Sequence, residues 1–309
     1  MSTDVDLGRV LTAMATPFDI EGDLDVGRAE ELANLLVANG NDGVVVGGTT
    51  GESPTLSHDE KLELYRIVRR AIPDAVVVMG AGSNDTRSSM ELAHDCQELG
   101  ADGVLAVVPY YNKPPQKSLV AHFKAIAGAI DIPVMLYNVP SRTVANMAAE
   151  TTIELSHVSN IVALKEASSD LAQVAAAAAG VAPGFRVYSG EDSLTLPMMS
   201  VGAYGVVSVA GHFAARGIRA MIDAFLEGRV EDAARLQYRL LPIFKGVFCT
   251  ASPIPTKALF RVLGLDIGDT RLPLDMSEIT DTQVQALKKM VDDLGELALT
   301  LGVPASTTA

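Results

Sequence analysis

The stretch Leu99-Gly100-Ala101-Asp102-Gly103-Val104 has the pattern of a helix end, a glycine turn and the first residues of a buried strand. The chain repeats this pattern at Asn39-Gly40-Asn41-Asp42-Gly43-Val44 and at Val201-Gly202-Ala203-Tyr204-Gly205-Val206. A junction that recurs in this way indicates that helices and strands alternate along the chain. The sequence therefore predicts an α/β fold built from repeated strand–helix units.

Outward from these junctions, short apolar runs predict eight strands, mostly spaced by about 25–30 residues. The predicted strands are 9–16, 43–48, 75–80, 103–108, 133–138, 161–165, 185–189 and 205–210. Helical periodicity lies between them, as in 58–72, which begins with a Ser57/Glu60 capping box, and in 214–227, which ends before Gly228. Eight near-continuous apolar strands predict a parallel (β/α)8 TIM barrel. The alternative, a doubly wound open sheet, needs a GxGxxG motif after the first strand, and the sequence has none there.

The strand pattern ends at about residue 231. Beyond it, Val284, Leu287, Val291 and Leu294 recur on one face of a predicted helix. We therefore expect a barrel domain over residues 1–230 and a C-terminal helical extension over 231–309.

Composition narrows the classes of partner and of site. A net charge of −14 argues against a nucleic-acid or anionic-membrane partner. The start of the chain, MSTDVDLGRV, lacks the pattern of a secretory signal, and no apolar run reaches the roughly 18 residues that span a bilayer. Cys96 and Cys249 stand outside any CxxC pattern, and the histidines lack metal-binding spacing. We expect a cytoplasmic protein with no metal and no membrane partner.

Lys165 is a charged residue in an otherwise apolar strand, Ile161-Val162-Ala163-Leu164-Lys165-Glu166-Ala167. An unpaired ammonium is costly to bury, and burial favours the neutral amine. A neutral amine in a dry pocket forms a Schiff base with a carbonyl substrate. The structural alternative is a lysine that extends to the strand end and pairs with a carboxylate.

Other strand ends carry polar groups, and in a barrel of this class the carboxyl ends of the strands form the active site. Thr49 and Thr50 lie among glycines after the second strand, where hydroxyl and backbone N–H groups suit a carboxylate; the alternative is an ordinary turn. Tyr137 points into the barrel by strand alternation and is a candidate general acid/base. Arg142 could hold a carboxylate with two hydrogen bonds, or could be a solvated loop charge.

Three further strand ends are less informative alone. Tyr110 and Tyr111 beside a proline-rich loop fit either packing or an interface. Gly190 permits close approach of the backbone to a ligand, whereas the strand at 205–209 reads as core. Glu166 alternates away from Lys165, so we expect a structural role for it. Together, a lysine amine, tyrosine acids and carboxylate donors fit carbanion chemistry on an α-keto acid.

The motifs that carry these residues resemble the dihydrodipicolinate synthase (4-hydroxy-tetrahydrodipicolinate synthase) family. The matching stretches are GGTTGESPTLSHDEK (47–61), VVPYYNKPPQ (107–116), LYNVPSRT (136–143), IVALKEAS (161–168), YSGED (188–192), GVVSV (205–209) and SPIPTK (252–257). The resemblance implies a class I aldolase-type lyase in diaminopimelate and lysine biosynthesis. In that reaction pyruvate binds Lys165 as an imine and condenses with L-aspartate 4-semialdehyde.

The resemblance also implies roles for the other residues. Thr49, Tyr137 and Tyr111 match the family's proton relay, with Tyr111 entering the site of a neighbouring subunit. The expected assembly is a homotetramer, a dimer of tight dimers, with no cofactor and no metal. The positions that match substrate contacts are Thr50 for the pyruvate carboxylate, Arg142 for the aldehyde's carboxylate, and Gly190 and Val207 for backbone contacts.

The lysine-feedback site of inhibited family members is only partly matched. The residues that fit its pattern are Ser53, His58, Asn84 and Tyr110. Lys61 stands where a histidine is common, and Ser88 stands where a glutamate would hold the effector's ammonium. A cation gained and an anion lost weaken the binding of free lysine, so we expect weak or absent inhibition.

Two other functions compete with this interpretation. N-acetylneuraminate lyases and 2-keto-3-deoxy-sugar-acid aldolases share the lysine and the tyrosine but generally lack an arginine like Arg142. A catalytically silent barrel used for binding would be expected to lose Lys165 or Tyr137, and both are present.

Overall fold

The computed structural model of the chain describes residues 5–301. Eight strands form a closed barrel in sequence order, and neighbouring strands run parallel. The strands are β1 Val10–Ala13, β2 Gly43–Val46, β3 Val76–Gly80, β4 Gly103–Val107, β5 Val134–Asn138, β6 Ile161–Glu166, β7 Arg186–Ser189 and β8 Gly205–Ser208. Each lies within or almost within its predicted run, so the (β/α)8 barrel is confirmed.

Helices follow the strands and continue beyond the last one. The α-helices are α1 Val26–Ala38, α2 His58–Ala71, α3 Thr86–Glu98, α4 Gln116–Gly128, α5 Pro140–Thr143, α6 Ala149–Leu155, α7 Leu171–Gly180, α8 Thr195–Met199, α9 Gly211–Leu226, α10 Val230–Gly246, α11 Ile254–Leu263 and α12 Asp281–Leu294. Single 3₁₀ turns cover Ser53–Thr55, Asp192–Leu194, Met276–Glu278 and Gly295–Leu297. The predicted capping box is present at Ser57 and Glu60, and Gly228 has a φ of +76° just after α9. None of these helices is long and apolar enough to cross a membrane.

The glycines of the repeated junctions are required by turns and by close packing. The first glycine of each junction has a φ of +101°, +77° or +107°, a left-handed conformation that glycine adopts readily. The second glycine starts the strand against a neighbouring backbone. A Cβ on Gly43 would lie 2.0 Å from the Val76 carbonyl oxygen, and one on Gly205 would lie 2.2 Å from that of Arg9. The repeat therefore marks places where the chain turns and a strand starts close to a neighbouring backbone.

Two of the junctions also carry an aspartate whose carboxylate accepts a hydrogen bond from a backbone amide of the preceding strand. Asp42 Oδ2 accepts a hydrogen bond of 3.0 Å from the Val10 amide, and Asp102 Oδ2 accepts one of 2.8 Å from the Val77 amide. These amides lie where the strands begin, and a buried backbone amide needs a hydrogen-bond partner. The carboxylates thus fix the position at which each strand starts.

Contacts divide the chain into two compact units. One comprises residues 77–207 with the N-terminal segment up to Arg9, and the other comprises Val10–Val76 with the chain from Ser208 onward. In the second unit α12 packs against α10 and α11, burying the predicted apolar face of Val284, Leu287, Val291 and Leu294. Residues 231–301 contain no strand. The domain boundary at 230 itself stays a prediction, and residues 302–309 of the predicted extension lie outside the described residues.

Candidate active site

Lys165 lies on β6 and is buried, with 5% of its surface exposed. Its Nζ stands 4.3 Å from the centre of the Tyr137 ring. Among residues 5–301, no ion pair or hydrogen bond involves its side chain. The alternative in which Lys165 pairs with a carboxylate is therefore not what the structure shows. A buried amine without an anionic partner is suited to nucleophilic attack.

Two tyrosines flank Lys165 at the same level of the barrel. The register pairs Tyr137 of β5 with Lys165, and Lys165 with Tyr188 of β7. Tyr188 is occupied elsewhere, because its hydroxyl donates a 2.8 Å hydrogen bond to the Gly8 carbonyl. Burial raises the pKa of Tyr188, which keeps its phenol neutral. Tyr137 is thus the tyrosine that remains available for proton transfer at the lysine, and Tyr188 is a structural neighbour that the sequence did not identify.

Gly190 leaves the space that the Lys165 side chain occupies. Its amide donates a 2.7 Å hydrogen bond to the Glu166 carbonyl, which fixes the backbone after β7. A Cβ at this position would lie 3.1 Å from both Cγ and Cε of Lys165 and 2.9 Å from the Ala167 Cβ. The close approach predicted for Gly190 is therefore an approach to the lysine side chain.

Replacing Gly190 by alanine is expected to destabilise the protein by about 1–3 kcal/mol, because an extra methyl group must push Lys165 or Ala167 aside. Urea unfolding measures this change. Gly128→Ala is the matched control, since a Cβ on Gly128 at the end of α4 meets no atom within 4 Å. Equal unfolding free energies for the two variants would contradict the packing argument.

Glu166 lies on the opposite face of β6, as strand alternation predicts. Its carboxylate accepts hydrogen bonds from Asn138 Nδ2 at 3.0 and 3.1 Å, from Gln173 Nε2 at 3.1 Å and from the Ser168 backbone N–H at 2.7 Å. Burial raises the pKa of Glu166 despite these donors. The sequence did not identify Asn138 and Gln173, whose amides link β5, β6 and α7 behind the lysine.

Arg142 stands in the one-turn helix α5 directly after β5, and its side chain is exposed. The turn is held from within, because Thr143 Oγ1 donates to the carbonyls of Val139 and Ala145 at 3.1 and 2.8 Å. No ion pair or hydrogen bond of the Arg142 side chain is found in the described part of the chain. Its guanidinium is therefore free to bind an external carboxylate.

Tyr111 follows β4 and is 88% exposed. Its φ of +74° lies in the left-handed region, which is uncommon for a bulky residue and costs energy. Nearby, Asn112 Nδ2 donates a 2.8 Å hydrogen bond to the Asn84 carbonyl and fixes the loop. The chain therefore holds a large aromatic ring away from its own core. Val207, by contrast, is a buried residue of β8.

Thr49 and Thr50 belong to the second unit and lie just beyond the carboxyl end of β2. Thr50 is buried, with 4% of its surface exposed. The Thr49 carbonyl accepts from the Glu52 amide at 3.1 Å, and Thr16 Oγ1 donates to the Gly51 carbonyl at 2.7 Å. The two threonines thus stand in a compact, hydrogen-bonded loop. Within the first unit, the structure brings Tyr137, Lys165 and Gly190 into direct proximity.

Comparison with known proteins assigns the chain to one family. Residues 6–294 match the dihydrodipicolinate synthetase family. The 4-hydroxy-tetrahydrodipicolinate synthase of Moorella thermoacetica is 52% identical over 268 residues, which cover 86% of this chain and 92% of the relative. The enzyme of the same name from Thermosynechococcus vestitus is 50% identical over 294 residues, which cover 94% of this chain and 99% of the relative.

Solved structures agree with these sequences. The dihydrodipicolinate synthase of Cyanidioschyzon merolae, solved with lysine bound, is 48% identical, and the match covers 94% of this chain and 99% of that one with a TM-score of 0.91. Both the sequence and the backbone therefore match over nearly the full length. The chain belongs to the dihydrodipicolinate synthetase family.

Proposed function

We propose that this protein is a 4-hydroxy-tetrahydrodipicolinate synthase, a lyase of lysine and diaminopimelate biosynthesis that condenses pyruvate with L-aspartate 4-semialdehyde. The observation that carries the proposal is the buried Lys165 amine beside Tyr137, without a carboxylate partner, in a member of this family. An amine so placed can attack the keto carbon of pyruvate. Loss of water from the adduct then gives an imine on Lys165.

The imine makes the next bond possible. Its positively charged nitrogen accepts electrons when a methyl proton of the bound pyruvate leaves, which gives an enamine. The enamine carbon then attacks the aldehyde carbon, and the aldehyde oxygen takes a proton. Tyr137 is the proposed general acid/base for these transfers because its ring lies 4.3 Å from Nζ. A phenol is a weak base alone, so Thr49 and Tyr111 are proposed to relay protons with it.

The proposed substrate contacts follow the chemistry of two carboxylates. Thr50, after β2, supplies a hydroxyl and loop amides for the pyruvate carboxylate. Arg142 is the proposed partner of the aldehyde's carboxylate, and its unpaired, exposed guanidinium supports that role. Gly190 and Val207 are proposed to contribute backbone contacts. These residues stand on or just after strands of a barrel class whose active sites lie at the carboxyl ends.

The exposed Tyr111 supports an oligomer. A bulky side chain that is 88% exposed on a strained backbone is explained if a second subunit receives it. We therefore propose a homotetramer built from tight dimers in which Tyr111 completes the neighbouring site. We further propose that the protein is cytoplasmic, that its substrates are small molecules, and that it has no nucleic-acid or membrane partner.

The experiment that tests the function is a coupled assay with pyruvate and L-aspartate 4-semialdehyde, together with borohydride trapping of pyruvate. Turnover and a mass gain on Lys165 support the synthase. Trapping without turnover of the semialdehyde, but with cleavage of a sugar-acid substrate, would assign a sister aldolase instead. If the protein showed no trapping of pyruvate and no turnover, it would be assigned as a binding protein without catalytic activity.

Arg142→Ala is expected to raise the KM for L-aspartate 4-semialdehyde by about 10–100-fold, because a charge-assisted hydrogen bond contributes about 1.5–3 kcal/mol. The trapping of pyruvate on Lys165 should be unchanged. Steady-state kinetics with each substrate varied in turn measures both effects. An equal rise in the KM for pyruvate would contradict the assignment of Arg142 to the aldehyde.

Inhibition by lysine is expected to be weak, with half-inhibition above about 1 mM. This corresponds to a binding free energy weaker than about −4 kcal/mol. Lys61 adds a cation to the site, at a position where a histidine is common in inhibited relatives. Ser88 supplies no charge, and its hydroxyl is already used in a 2.6 Å hydrogen bond to Asp85. The relative from Cyanidioschyzon merolae was solved with lysine bound and is a reference protein for lysine binding in this family. Titrating lysine into the coupled assay measures the constant, and half-inhibition below about 1 mM would contradict the prediction.

A further inference from the structure

A buried ion pair lies directly behind the loop of Thr49 and Thr50. Glu52 Oε1 stands 2.8 Å from Lys257 Nζ, and the two side chains are 1% and 0% exposed. Glu52 is in the second unit with Lys257 and with the threonines. Its other carboxylate oxygen accepts a 2.8 Å hydrogen bond from the Arg271 amide. The loop is thereby joined to a segment some two hundred residues further along the chain.

Lys257 has a fixed position between three groups. Its Nζ also donates a 2.8 Å hydrogen bond to the Asp269 carbonyl and stands 4.2 Å from the centre of the Phe18 ring. Burial lowers the pKa of Lys257, and Glu52 acts in the opposite direction by favouring the ammonium. The lysine is held by a carboxylate, a carbonyl and an aromatic face, with no contact to solvent.

Arg271 holds the same loop at a second point. Its guanidinium donates to the carbonyls of Thr55 and Gly22 at 2.8 Å and forms an ion pair with Glu60. It also lies over the Phe18 ring, 4.2 Å from its centre. The segment from Lys257 to Arg271 therefore fixes both Glu52 and Thr55, which follow Thr49 and Thr50 in the chain.

The loop needs such support because its backbone is strained. Glu52 has a φ of +55°, a left-handed conformation that costs a non-glycine residue about 1–2 kcal/mol. The preceding Gly51 has no room for a side chain, since a Cβ there would lie 3.0 Å from the Met14 carbonyl oxygen. Strained backbone persists where its surroundings over-determine it, and such sites cluster around ligands.

The energetics of the Glu52–Lys257 pair favour a role in fixing the loop conformation over a role in stability. Removing water from two charges offsets most of their attraction, so a buried ion pair adds little stability compared with well-packed apolar residues. In some proteins, a buried polar or ionic group of this kind selects one arrangement of the groups that it joins. Here that arrangement is the conformation of the loop that presents the Thr49 and Thr50 hydroxyls.

We propose that Glu52 and Lys257 are positioning residues for the pyruvate carboxylate, acting through the loop of Thr49 and Thr50. This inference rests on the proposed function, in which Thr50 binds that carboxylate. It assigns part of the C-terminal helical segment, α11, to the binding of the first substrate. Neither residue touches the substrate in this role.

The test uses three variants of the full-length protein, Glu52→Gln, Lys257→Met and the double variant, with Lys288→Met as control. Lys288 lies on α12, outside the segment from Lys257 to Arg271, and pairs with Asp292 at the surface. For each protein we would measure the KM for pyruvate, the KM for the semialdehyde, the rate of imine trapping and the unfolding free energy.

Both single variants are expected to raise the KM for pyruvate about tenfold or more and to leave the KM for the semialdehyde within about twofold of wild type. A tenfold change corresponds to about 1.4 kcal/mol. The double variant contains no unpaired buried charge, so it should regain stability but keep the raised KM for pyruvate. Lys288→Met should match wild type.

The double variant decides the matter if a single variant fails to fold. A return of its KM for pyruvate to the wild-type value would overturn the proposal and leave the pair a purely structural role. Equal rises in both KM values would do the same. Failure of the proposed function is distinguished by the wild-type protein, which would then not turn over the semialdehyde.

Discussion

Lys165→Met is expected to abolish the trapping of pyruvate by borohydride and to lower kcat by on the order of 10³-fold or more, as removal of a covalent nucleophile does in other enzymes. Methionine matches the length of the apolar part of lysine and suits a site that is 5% exposed beside the Tyr137 ring. Stability should therefore fall little, because no ion pair is lost. The loss of activity then reports the missing amine.

The control for this variant is Lys124→Met, the same change at an exposed lysine that pairs with Glu154. Surface ion pairs contribute about 0–1 kcal/mol, so trapping and turnover should be those of wild type. Mass spectrometry after borohydride treatment and the coupled assay are run on both variants. Full turnover in Lys165→Met would remove the basis of the proposed function.

The strands were predictable because each is buried on both faces. In a parallel barrel, side chains fill the inside and helices cover the outside. Each strand is therefore a short, nearly continuous apolar run and does not alternate between apolar and polar residues. Lys165 is visible in the sequence for the same reason, as a charge inside such a run. Its neighbour Tyr137 follows from strand alternation, and the register confirms that the two residues pair. Local pattern thus predicted the fold and the proximity of the amine to its aromatic neighbour.

The parts that the sequence did not predict depend on contacts between distant residues. Glu52 meets Lys257 through tertiary packing, and no spacing rule relates the two. Lys257 did carry a signal of the same kind as Lys165, since it interrupts the apolar stretch Ile254-Pro255-Thr256-Lys257-Ala258-Leu259-Phe260. Tyr188 gave no such signal, because the tie of its hydroxyl to Gly8 is visible only once the barrel closes.

Tyr137→Phe is expected to lower kcat by about 10²–10³-fold while pyruvate is still trapped on Lys165, because a positioned general acid/base contributes about that much. Phenylalanine keeps the ring that lies 4.3 Å from Nζ and removes only the hydroxyl. The packing around the lysine is then preserved, and the proton transfers after imine formation become slow. Single-turnover trapping and the coupled assay separate the two stages.

Tyr188→Phe is the matched control, because Tyr188 pairs with Lys165 from the other side of β6. Its hydroxyl is bonded to the Gly8 carbonyl, so its loss should lower the unfolding free energy by about 1 kcal/mol and leave kcat within about twofold. The two variants are thus expected to change different quantities: Tyr137→Phe lowers kcat, and Tyr188→Phe lowers the unfolding free energy. If Tyr188→Phe slowed turnover as much as Tyr137→Phe, the proton-transfer role would not belong to Tyr137.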